Sequence, residues 1–168
     1  MARKTTPTNF AFLVEKLRAK ENNIAITTDI MVGFPGETLE EFNESLKFVK
    51  LMQFARGHVF NFSSRPGTVA ESMPDQIPPE IRKQRSAIMR EAISQLQSEY
   101  EQNFIGEVVE VLWEKALQIK KGLWALNGLS DNYLRIRADA ARNRWNELSK
   151  VRIVKQEKRF LLGEIIND

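Results

Sequence analysis

The residues best placed to do chemistry form one ten-residue run, D-I-M-V-G-F-P-G-E-T, from Asp29 to Thr38. The pattern predicts a buried strand that passes through a glycine-proline turn into a capped helix. Glycines at such a turn let a ligand approach the backbone, and free N–H groups at a helix N-terminus favour anions. The run has neither the lysine of a phosphate loop nor a G-x-G-x-x-G pattern. It is therefore either a ligand-binding rim or only a tight connection.

The strand that leads into this turn offers further candidates. Residues 24–32 are rich in β-branched side chains, and alternation places Thr27 and Asp29 on one face and the isoleucines on the other. The isoleucine face suits packing beneath helices, whereas the small polar face suits a lumen that holds a ligand. Thr27 and Asp29 either hydrogen-bond a ligand or form a buried polar pair with neighbouring strands.

Three other charged or titratable side chains lie near these elements. Glu37 is interpreted as an acid favoured by the helix dipole, with a ligand contact as the alternative. Arg65 follows a second predicted strand, residues 57–63. There it either binds the carboxylate or phosphate of a ligand, or it forms an ion pair on the protein surface. His58, the only histidine, lies at the start of that strand, away from the expected rim, which favours a structural role.

The elements that must position these residues alternate in type. The pattern predicts helices over 7–20 and from Leu39 to about Met52, interleaved with the two strands, which is the order of parallel α/β units. A long helix over 79–103 follows and is predicted to end at Gly106. The buried stripe predicted for the second helix consists of Leu39, Phe42, Leu46, Val49, Leu51 and Met52.

From residue 105 onward the sequence changes to short β-rich runs, which is the rhythm of a small barrel. The five runs are 108–113, 122–126, 133–136, 151–154 and 160–165. The sequence therefore predicts two parts: an α/β segment over 1–104, which includes the long helix, and an all-β barrel over 105–168.

The surplus of cations is confined to the second part. Residues 1–104 carry 13 basic and 13 acidic side chains, whereas residues 105–168 carry 12 basic and 9 acidic ones. Such a segment is typical of a polyanion binder, although a solvated charged surface gives the same count. Tyr133, flanked by Arg135 and Arg137, suits base stacking with phosphate contacts. The other cations expected to contribute are Lys115, Lys120, Lys121, Arg152, Lys155 and Lys158.

The aromatic residues of the second part have two possible roles. They are interpreted as barrel core rather than as platforms on which nucleic-acid bases stack. The residues concerned are Trp113, Trp124, Tyr133 and Phe160.

Composition excludes several kinds of chemistry. The 168 residues are 42% hydrophobic and 28% charged and include no cysteine, so the chain cannot form a disulfide, a thiolate zinc site or a cysteine-held iron–sulfur cluster. One histidine cannot build a histidine-rich metal site. No long apolar run indicates a membrane span or a secretory signal, so a cytoplasmic location is expected.

Four segments carry a family resemblance. They are D-I-M-V-G-F-P-G-E-T at 29–38, H-V-F-N-F-S-S-R-P-G-T at 58–68, M-P-D-Q-I-P at 73–78 and G-L-S-D-N-Y-L-R-I at 128–136. The first three, in this order, resemble the late part of the radical-SAM methylthiotransferases, and the fourth resembles their TRAM domain, a small RNA-binding β-barrel. Those enzymes use two iron–sulfur clusters and S-adenosylmethionine to add a methylthio group to an adenosine beside the tRNA anticodon or to a ribosomal protein.

Two details refine this resemblance. His58-Val59-Phe60 and Asp131-Asn132-Tyr133 look closest to the branch that modifies threonylcarbamoyl-adenosine in tRNA. Asn61-Phe62-Ser63-Ser64 stands where the family commonly has proline-aromatic-serine-proline. That departure changes the expected shape of the rim.

The resemblance implies a partial, truncated TIM-like parallel barrel followed by a TRAM or OB-like barrel. It implies that S-adenosylmethionine contacts a set of residues in the first part: Thr27, Asp29, Gly33, Pro35 and Gly36. It implies that tRNA contacts residues of both parts: Arg65, Lys120, Lys121, Tyr133, Arg135, Arg137, Arg152 and Lys155. No catalytic residue or metal ligand is assigned, and neither a membrane nor DNA is an expected partner.

The family also implies what this chain does not carry. Its members have an N-terminal domain that binds one cluster and a three-cysteine motif that holds the radical-generating 4Fe-4S cluster. The chain is therefore predicted to be a fragment of a tRNA-modifying methylthiotransferase, inactive in radical chemistry alone. The alternatives are a stand-alone RNA-binding module and a non-functional remnant. The exposed edge of an incomplete barrel also predicts self-association.

Overall fold

A computed structural model describes residues 5–166. The chain clusters into two compact units, Met1–Ser98 and Glu99–Asp168. The division falls inside the long helix, six residues before the predicted boundary between 104 and 105. The ends of the two predicted parts, residues 1–4 and 167–168, lie outside the described residues. No helix in the described part of the chain is long and apolar enough to cross a membrane.

The first unit is built on two neighbouring parallel strands. Its elements are α1 (Pro7–Lys20), β1 (Thr27–Val32), α2 (Leu39–Met52), β2 (Arg56–Asn61), a short 3-10 helix (Val69–Glu71) and α3 (Pro79–Gln102), whose last turn enters the second unit. This alternation of helices and parallel strands agrees with the sequence prediction. β1 begins at Thr27 rather than at residue 24, because its partner strand starts with Arg56, which pairs with Thr27.

Local capping sets the starts of the first two helices. Thr6 precedes α1, and its hydroxyl accepts a hydrogen bond from the backbone N–H of Asn9. Thr38 and Glu41 form the predicted capping box: the Thr38 hydroxyl accepts from the Glu41 N–H at 3.1 Å, and the Glu41 carboxylate accepts from the Thr38 N–H at 2.9 Å. These bonds satisfy N–H groups that have no partner inside the helix.

The end of α3 agrees with the predicted range 79–103 to within one residue, but Gly106 does not cap the helix. The helix stops at Gln102, four residues before Gly106. The N–H of Gly106 donates instead to the carbonyl of Ile153 at 2.8 Å, so this glycine joins the barrel and does not cap the helix. Its positive φ of 91° suits the turn by which the chain enters the first barrel strand.

One face of the β1–β2 sheet packs against the helices of the first unit. Ile30, Val32 and Val59 contact a core that includes Val14 of α1 and Met89 of α3. The alternation predicted for β1 is confirmed, because residues 28, 30 and 32 are more buried than residues 27, 29 and 31. The other face of the sheet is open to solvent along 27, 29 and 31 of β1 and along 58 and 60 of β2.

The stripe predicted for α2 is correct only in part. Phe42, Val49 and Met52 are buried, whereas Leu39 and Leu51 are exposed. Leu51 lies about 100° around the helix from Met52 and therefore leaves the buried face. Leu39 lies in the first turn, before the first α2 side chain that is buried in the core.

In the second unit, five strands close into a barrel in the order β3-β4-β5-β7-β6. They are β3 (Val108–Lys120), β4 (Leu123–Ser130), β5 (Arg135–Ala140), β6 (Leu148–Glu157) and β7 (Phe160–Ile165). All neighbouring pairs are antiparallel except β5 and β7, which are parallel. The prediction of an all-β second part is confirmed, although β3 and β6 are much longer than the runs at 108–113 and 151–154.

The barrel interior decides which aromatic residues belong to the core. Trp113 is fully buried, and its indole N–H donates to the hydroxyl of Ser149 at 3.0 Å. Trp124 is partly buried against the same core. Tyr133, by contrast, is 65% exposed, so its interpretation as core is wrong. Phe160 is only half-buried and lies outside this core.

A β-bulge in β3 determines the direction of the side chains that follow it. The register shifts between Trp113, which pairs with Gly128, and Lys115, which pairs with Asn127. Without the extra residue, Lys115 would share the inward face of Trp113, because side chains two apart in a strand point the same way. The bulge at Glu114 places Lys115 on the outer surface instead.

The phenol of Tyr100 gives the second unit a dependence on alkaline pH. Burial raises the pKa of Tyr100 from its ordinary value of 10.0 to about 12; a hydrogen bond to Asn132 acts in the opposite direction, and the charge of Asp131 raises it further. Between these values the folded protein binds more protons than the unfolded chain. The contribution to stability is therefore complete below pH 10 and is lost as the pH rises toward 12.

We expect Tyr100→Phe to flatten the alkaline part of the stability profile. Thermal unfolding, followed by circular dichroism from about pH 9 to about pH 11, should show a smaller fall in the unfolding temperature for the variant than for the unaltered protein. Equal falls for both proteins would contradict the assignment.

Candidate functional site

The glycine turn between β1 and α2 is fixed by hydrogen bonds within the chain. Gly33 and Gly36 have positive φ angles of 74° and 82°, which glycine adopts most easily. The Gly33 N–H donates to the Glu37 carboxylate at 2.8 Å, and the Gly36 N–H donates to the carbonyl of Asp75 at 3.0 Å. The expectation that free N–H groups point outward from this turn is therefore wrong for both glycines.

Glu37 is the centre of this arrangement and not an acid of the first helical turn. Its carboxylate accepts from Gly33 and forms an ion pair with the guanidinium of Arg85, which also donates to the Glu37 carbonyl at 2.8 Å. Arg85 is buried, so the partners satisfy a charge that would be costly alone. Neighbouring Arg82 donates to the carbonyl of Phe62 at 2.6 Å. Two arginines of α3 thus hold the ends of both strands.

The open face of the β1–β2 sheet brings together the polar candidates of the first unit. In the strand register, Asp29 is opposite His58, and Met31 is opposite Phe60. Met31 and Phe60 are 45% and 51% exposed. His58 therefore lies beside Asp29 on the face predicted to hold a ligand, whereas the glycine turn begins only after Val32. Thr27 is on the same face, one pair earlier.

The remaining predicted residues of the first unit differ in exposure. Pro35 is buried in the turn, while Gly36 is exposed. Arg65 lies on the exposed turn after β2, where its carbonyl accepts from the Thr68 hydroxyl at 2.8 Å. Its guanidinium has no ion-pair partner within residues 5–166, which leaves it available to an anion.

The outer surface of the barrel contains a groove of about 570 Å³ lined by cations. We call it the basic groove and define it by Lys115, Arg135, Arg137, Arg159 and Phe160. Glu114 is the one acid that lines it. Four positive charges against one negative charge give the groove the electrostatic character that attracts phosphates.

Strand pairing explains why these cations meet. Lys115 pairs with Asn127, which pairs with Arg137 on the next strand. Arg137 is in turn opposite Leu162, whose other neighbour is Lys155. One row of side chains thus crosses β3, β4, β5, β7 and β6 on the outside of the barrel. Arg135 lies two residues before Arg137 and therefore on the same face.

The loop between β4 and β5 presents Tyr133. The Ser130 hydroxyl accepts from the Leu134 N–H at 3.0 Å and donates to the side-chain oxygen of Asn132. The Tyr133 N–H donates to the Ser130 carbonyl at 3.0 Å, and its φ of 63° is left-handed. The S-D-N-Y-L segment is therefore a tight turn whose conformation directs the tyrosine ring into solvent.

The other predicted RNA contacts are distributed differently. Lys120 and Lys121 lie at the exposed tip of the β3–β4 hairpin. The Lys155 amine forms an ion pair with Glu157 at 2.7 Å. Arg152 pairs with Glu164 in register and donates to the Gly106 carbonyl at 3.3 Å. The basic groove therefore brings together Arg135 and Arg137, and it includes neither Arg152 nor Lys155.

Three arginines of the barrel surface were missed by sequence reasoning. Arg159 lies in the β6–β7 turn and lines the basic groove, and the K-R pair before Phe160 was the available signal. Arg142 and Arg144 line a second, wider groove of about 1020 Å³, with Asp139 and Glu164 as its acids.

Arg142 and Arg144 of the wide groove share one acid. Nη1 and Nη2 of Arg142 each donate to a carboxylate oxygen of Glu147, and Nη1 of Arg144 lies 3.9 Å from the same carboxylate. These contacts lower the pKa of Glu147 and raise that of Arg142. Arg142 and Arg144 are therefore more neutralised than the cations of the basic groove.

Comparison with known proteins gives relatives over nearly the whole chain. A threonylcarbamoyladenosine tRNA methylthiotransferase of Bacillus subtilis (strain 168) is 33% identical over 166 residues, which cover 99% of this chain and 37% of that protein. One of the same name from Thermotoga maritima is 36% identical over 153 residues, covering 91% and 34%. A tRNA-2-methylthio-N(6)-dimethylallyladenosine synthase of Acetivibrio thermocellus is 36% identical over 141 residues, covering 84% and 29%. No family model matches.

The chain belongs to the radical-SAM methylthiotransferase family. It spans about a third of the length of the curated relatives it matches. Relatives with two different nucleosides in their names match at 33% and 36% identity, so identity does not favour either branch.

The donor groups of this chain fit the iron–sulfur cluster and S-adenosylmethionine differently. A 4Fe-4S cluster is held by thiolates, and the chain has no cysteine. Within the described residues, no three acidic or histidine side chains come together to hold a metal ion. For S-adenosylmethionine, the open face offers the side chains of Thr27 and Asp29, while the N–H groups of Gly33 and Gly36 are already bonded.

Alanine substitution at the two turn glycines lowers the free energy of unfolding for two different reasons, backbone conformation and steric overlap. Both positions require a left-handed backbone, which costs an L-residue about 1–2 kcal/mol. A Cβ at Gly36 meets nothing within 4 Å, whereas a Cβ at Gly33 would lie 2.3 Å from Cγ of Arg82. Arg82 is held by its bond to Phe62.

We therefore expect Gly33→Ala to lower the free energy of unfolding more than Gly36→Ala does, by an additional amount of about 1 kcal/mol or more. Urea unfolding of both variants measures the difference. Equal losses would show that the Arg82 contact does not constrain the turn.

Proposed function

We propose that this chain is a segment of a tRNA-modifying methylthiotransferase. Its barrel is a TRAM domain that binds tRNA, and its first unit is the C-terminal part of a TIM-like barrel that contacts S-adenosylmethionine. The names of its relatives support a tRNA substrate, because both kinds act on a tRNA nucleoside. The relatives are about three times as long as this chain, so the activity belongs to the whole protein.

One observation carries the RNA-binding part of this proposal. The basic groove combines four cations with one acid on the outside of a small closed barrel, and an exposed tyrosine lies on the adjoining loop. Phosphates contribute most of the affinity of RNA for such a surface, and exposed aromatic rings add stacking. Arg135, Arg137 and Tyr133 are the central contacts, and Lys120 and Lys121 extend the surface at the hairpin tip.

The cofactor part rests on the open face of the β1–β2 sheet. Thr27 and Asp29 would contact the polar groups of S-adenosylmethionine, while Pro35 and the two glycines would shape the rim through backbone approach. Bound S-adenosylmethionine supplies the methyl and adenosyl groups of the reaction. This chain's own residues only bind and orient it, since the chain has no cysteine to hold a cluster.

A stand-alone RNA-binding module is the second candidate. It is favoured by the absence of cysteine together with a closed barrel that has its own core. In that case the first unit is a passive platform. Both candidates bind tRNA, and they differ in cofactor binding.

Binding of tRNA should depend steeply on salt. If about five phosphates are contacted, the logarithm of affinity should fall with the logarithm of salt concentration at a slope of about −4. Tyr133→Ala together with Arg135→Ala should lower the affinity and make the slope shallower by about 1. Lys150→Ala is the matched control, because this cation lies on β6 outside the basic groove. A flat salt response would refute the RNA proposal.

Calorimetric titration with S-adenosylhomocysteine tests the cofactor part. The fragment proposal predicts a heat of binding that Asp29→Asn weakens, whereas the module proposal predicts none. In either case, the chain reconstituted with iron and sulfide should form no methylthio-adenosine on tRNA. Formation of that product would show that the clusters can be held without cysteine.

A further inference from the structure

Arg137 and Phe160 form a cation–π pair at the meeting point of two grooves. The guanidinium carbon of Arg137 lies 3.9 Å from the centre of the Phe160 ring. Both residues line the basic groove and also the wide groove. The pair therefore borders both grooves, and we call it the ridge.

The guanidinium of Arg137 has capacity to bind a ligand. Among the described residues it forms neither a hydrogen bond nor an ion pair, and its contact with Phe160 is the one interaction recorded for its side chain. The arginine is exposed, and the ring beneath it is half-buried. Contact with the half-buried ring restricts the guanidinium while leaving its N–H donors accessible.

We propose that the Arg137–Phe160 pair is a platform for one unpaired RNA base. The base stacks on the outward face of the Arg137 guanidinium, which rests on the Phe160 ring. The phosphates beside that base bind Arg135, Arg159 and Lys115 in the basic groove. This inference rests on the proposed RNA-binding function and deepens it, because it specifies single-stranded RNA as the ligand of this site.

The chemistry of the ridge favours a single strand over a duplex. Guanidinium planes and aromatic rings recognise the π-face of a base, and that face is accessible only when the base is unstacked from its neighbours. A duplex presents only its phosphates and hydroxyls, so it would bind through contacts with the cationic side chains alone. Because Arg137 borders both grooves, a single RNA strand could cross the ridge with its phosphates in the basic groove and one base on the guanidinium.

Two substitutions separate stacking from charge. Phe160→Leu keeps apolar bulk but removes the ring, and Arg137→Lys keeps the charge but removes the planar group. The probe is a fluorescently labelled eight-nucleotide oligoadenylate RNA, compared with the same backbone carrying abasic sites and with an RNA duplex of equal length. The protein used is the full chain, and thermal unfolding of each variant checks that it is folded.

We expect each stacking variant to weaken binding of the oligoadenylate about tenfold while leaving the salt slope unchanged. Binding of the abasic strand should change less than twofold. Phe160→Tyr, which keeps a ring, should bind like the unaltered protein. Arg135→Gln should instead weaken both single strands and reduce the magnitude of the slope by about 0.7, the value for one lost phosphate contact with a single strand.

The experiment distinguishes base stacking at the ridge from RNA binding by the chain. If the unaltered chain binds RNA with a clear salt slope but the stacking variants bind the oligoadenylate as well as it does, the platform is refuted and RNA binding stands. Equal loss of the normal and abasic strands in Phe160→Leu also refutes the platform. If no RNA binds at any salt concentration, both proposals fail.

Discussion

Closure of the five-stranded barrel is the constraint on which the basic surface depends. Because each strand has a neighbour on both sides, alternate side chains must enter one common core. Ile136 fills that core between Arg135 and Arg137, so the two arginines have to face outward together. The concentration of cations on one surface thus follows from how the apolar residues are buried.

The sheet of the first unit differs from the closed barrel, because helices cover one of its faces and the other face is open. The helices cover the side that contains Ile30, Val32 and Val59. The uncovered side carries Asp29 and His58 next to each other. Each strand of this sheet has one neighbour within the described residues, so self-association through the free edges stays a prediction.

Long-range polar contacts give the candidate rim its shape. Arg82 and Arg85 come from α3 and reach the ends of both strands and the turn before α2. The Glu37–Arg85 pair replaces ligand-directed N–H groups with internal bonds, and this gives the turn a defined conformation. A cofactor at this rim would therefore meet side chains of the open face rather than a ring of free amides.

Sequence alone determined what depends on near neighbours and on composition. Capping by Thr38, the alternation in β1, the surplus of cations after residue 104 and the lack of cluster ligands could all be predicted. The same reasoning placed Tyr133 in the core and interpreted Glu37 as an acid favoured by the helix dipole.

Only the tertiary structure decided those positions. The outward direction of Lys115 depends on a single extra residue in β3, which no periodic pattern reveals. Glu37 meets Arg85 across 48 residues of chain, and Phe160 meets Arg137 across a parallel strand pair. Such contacts depend on which strands and helices become neighbours, and that is set by burial of the whole core rather than by local preference.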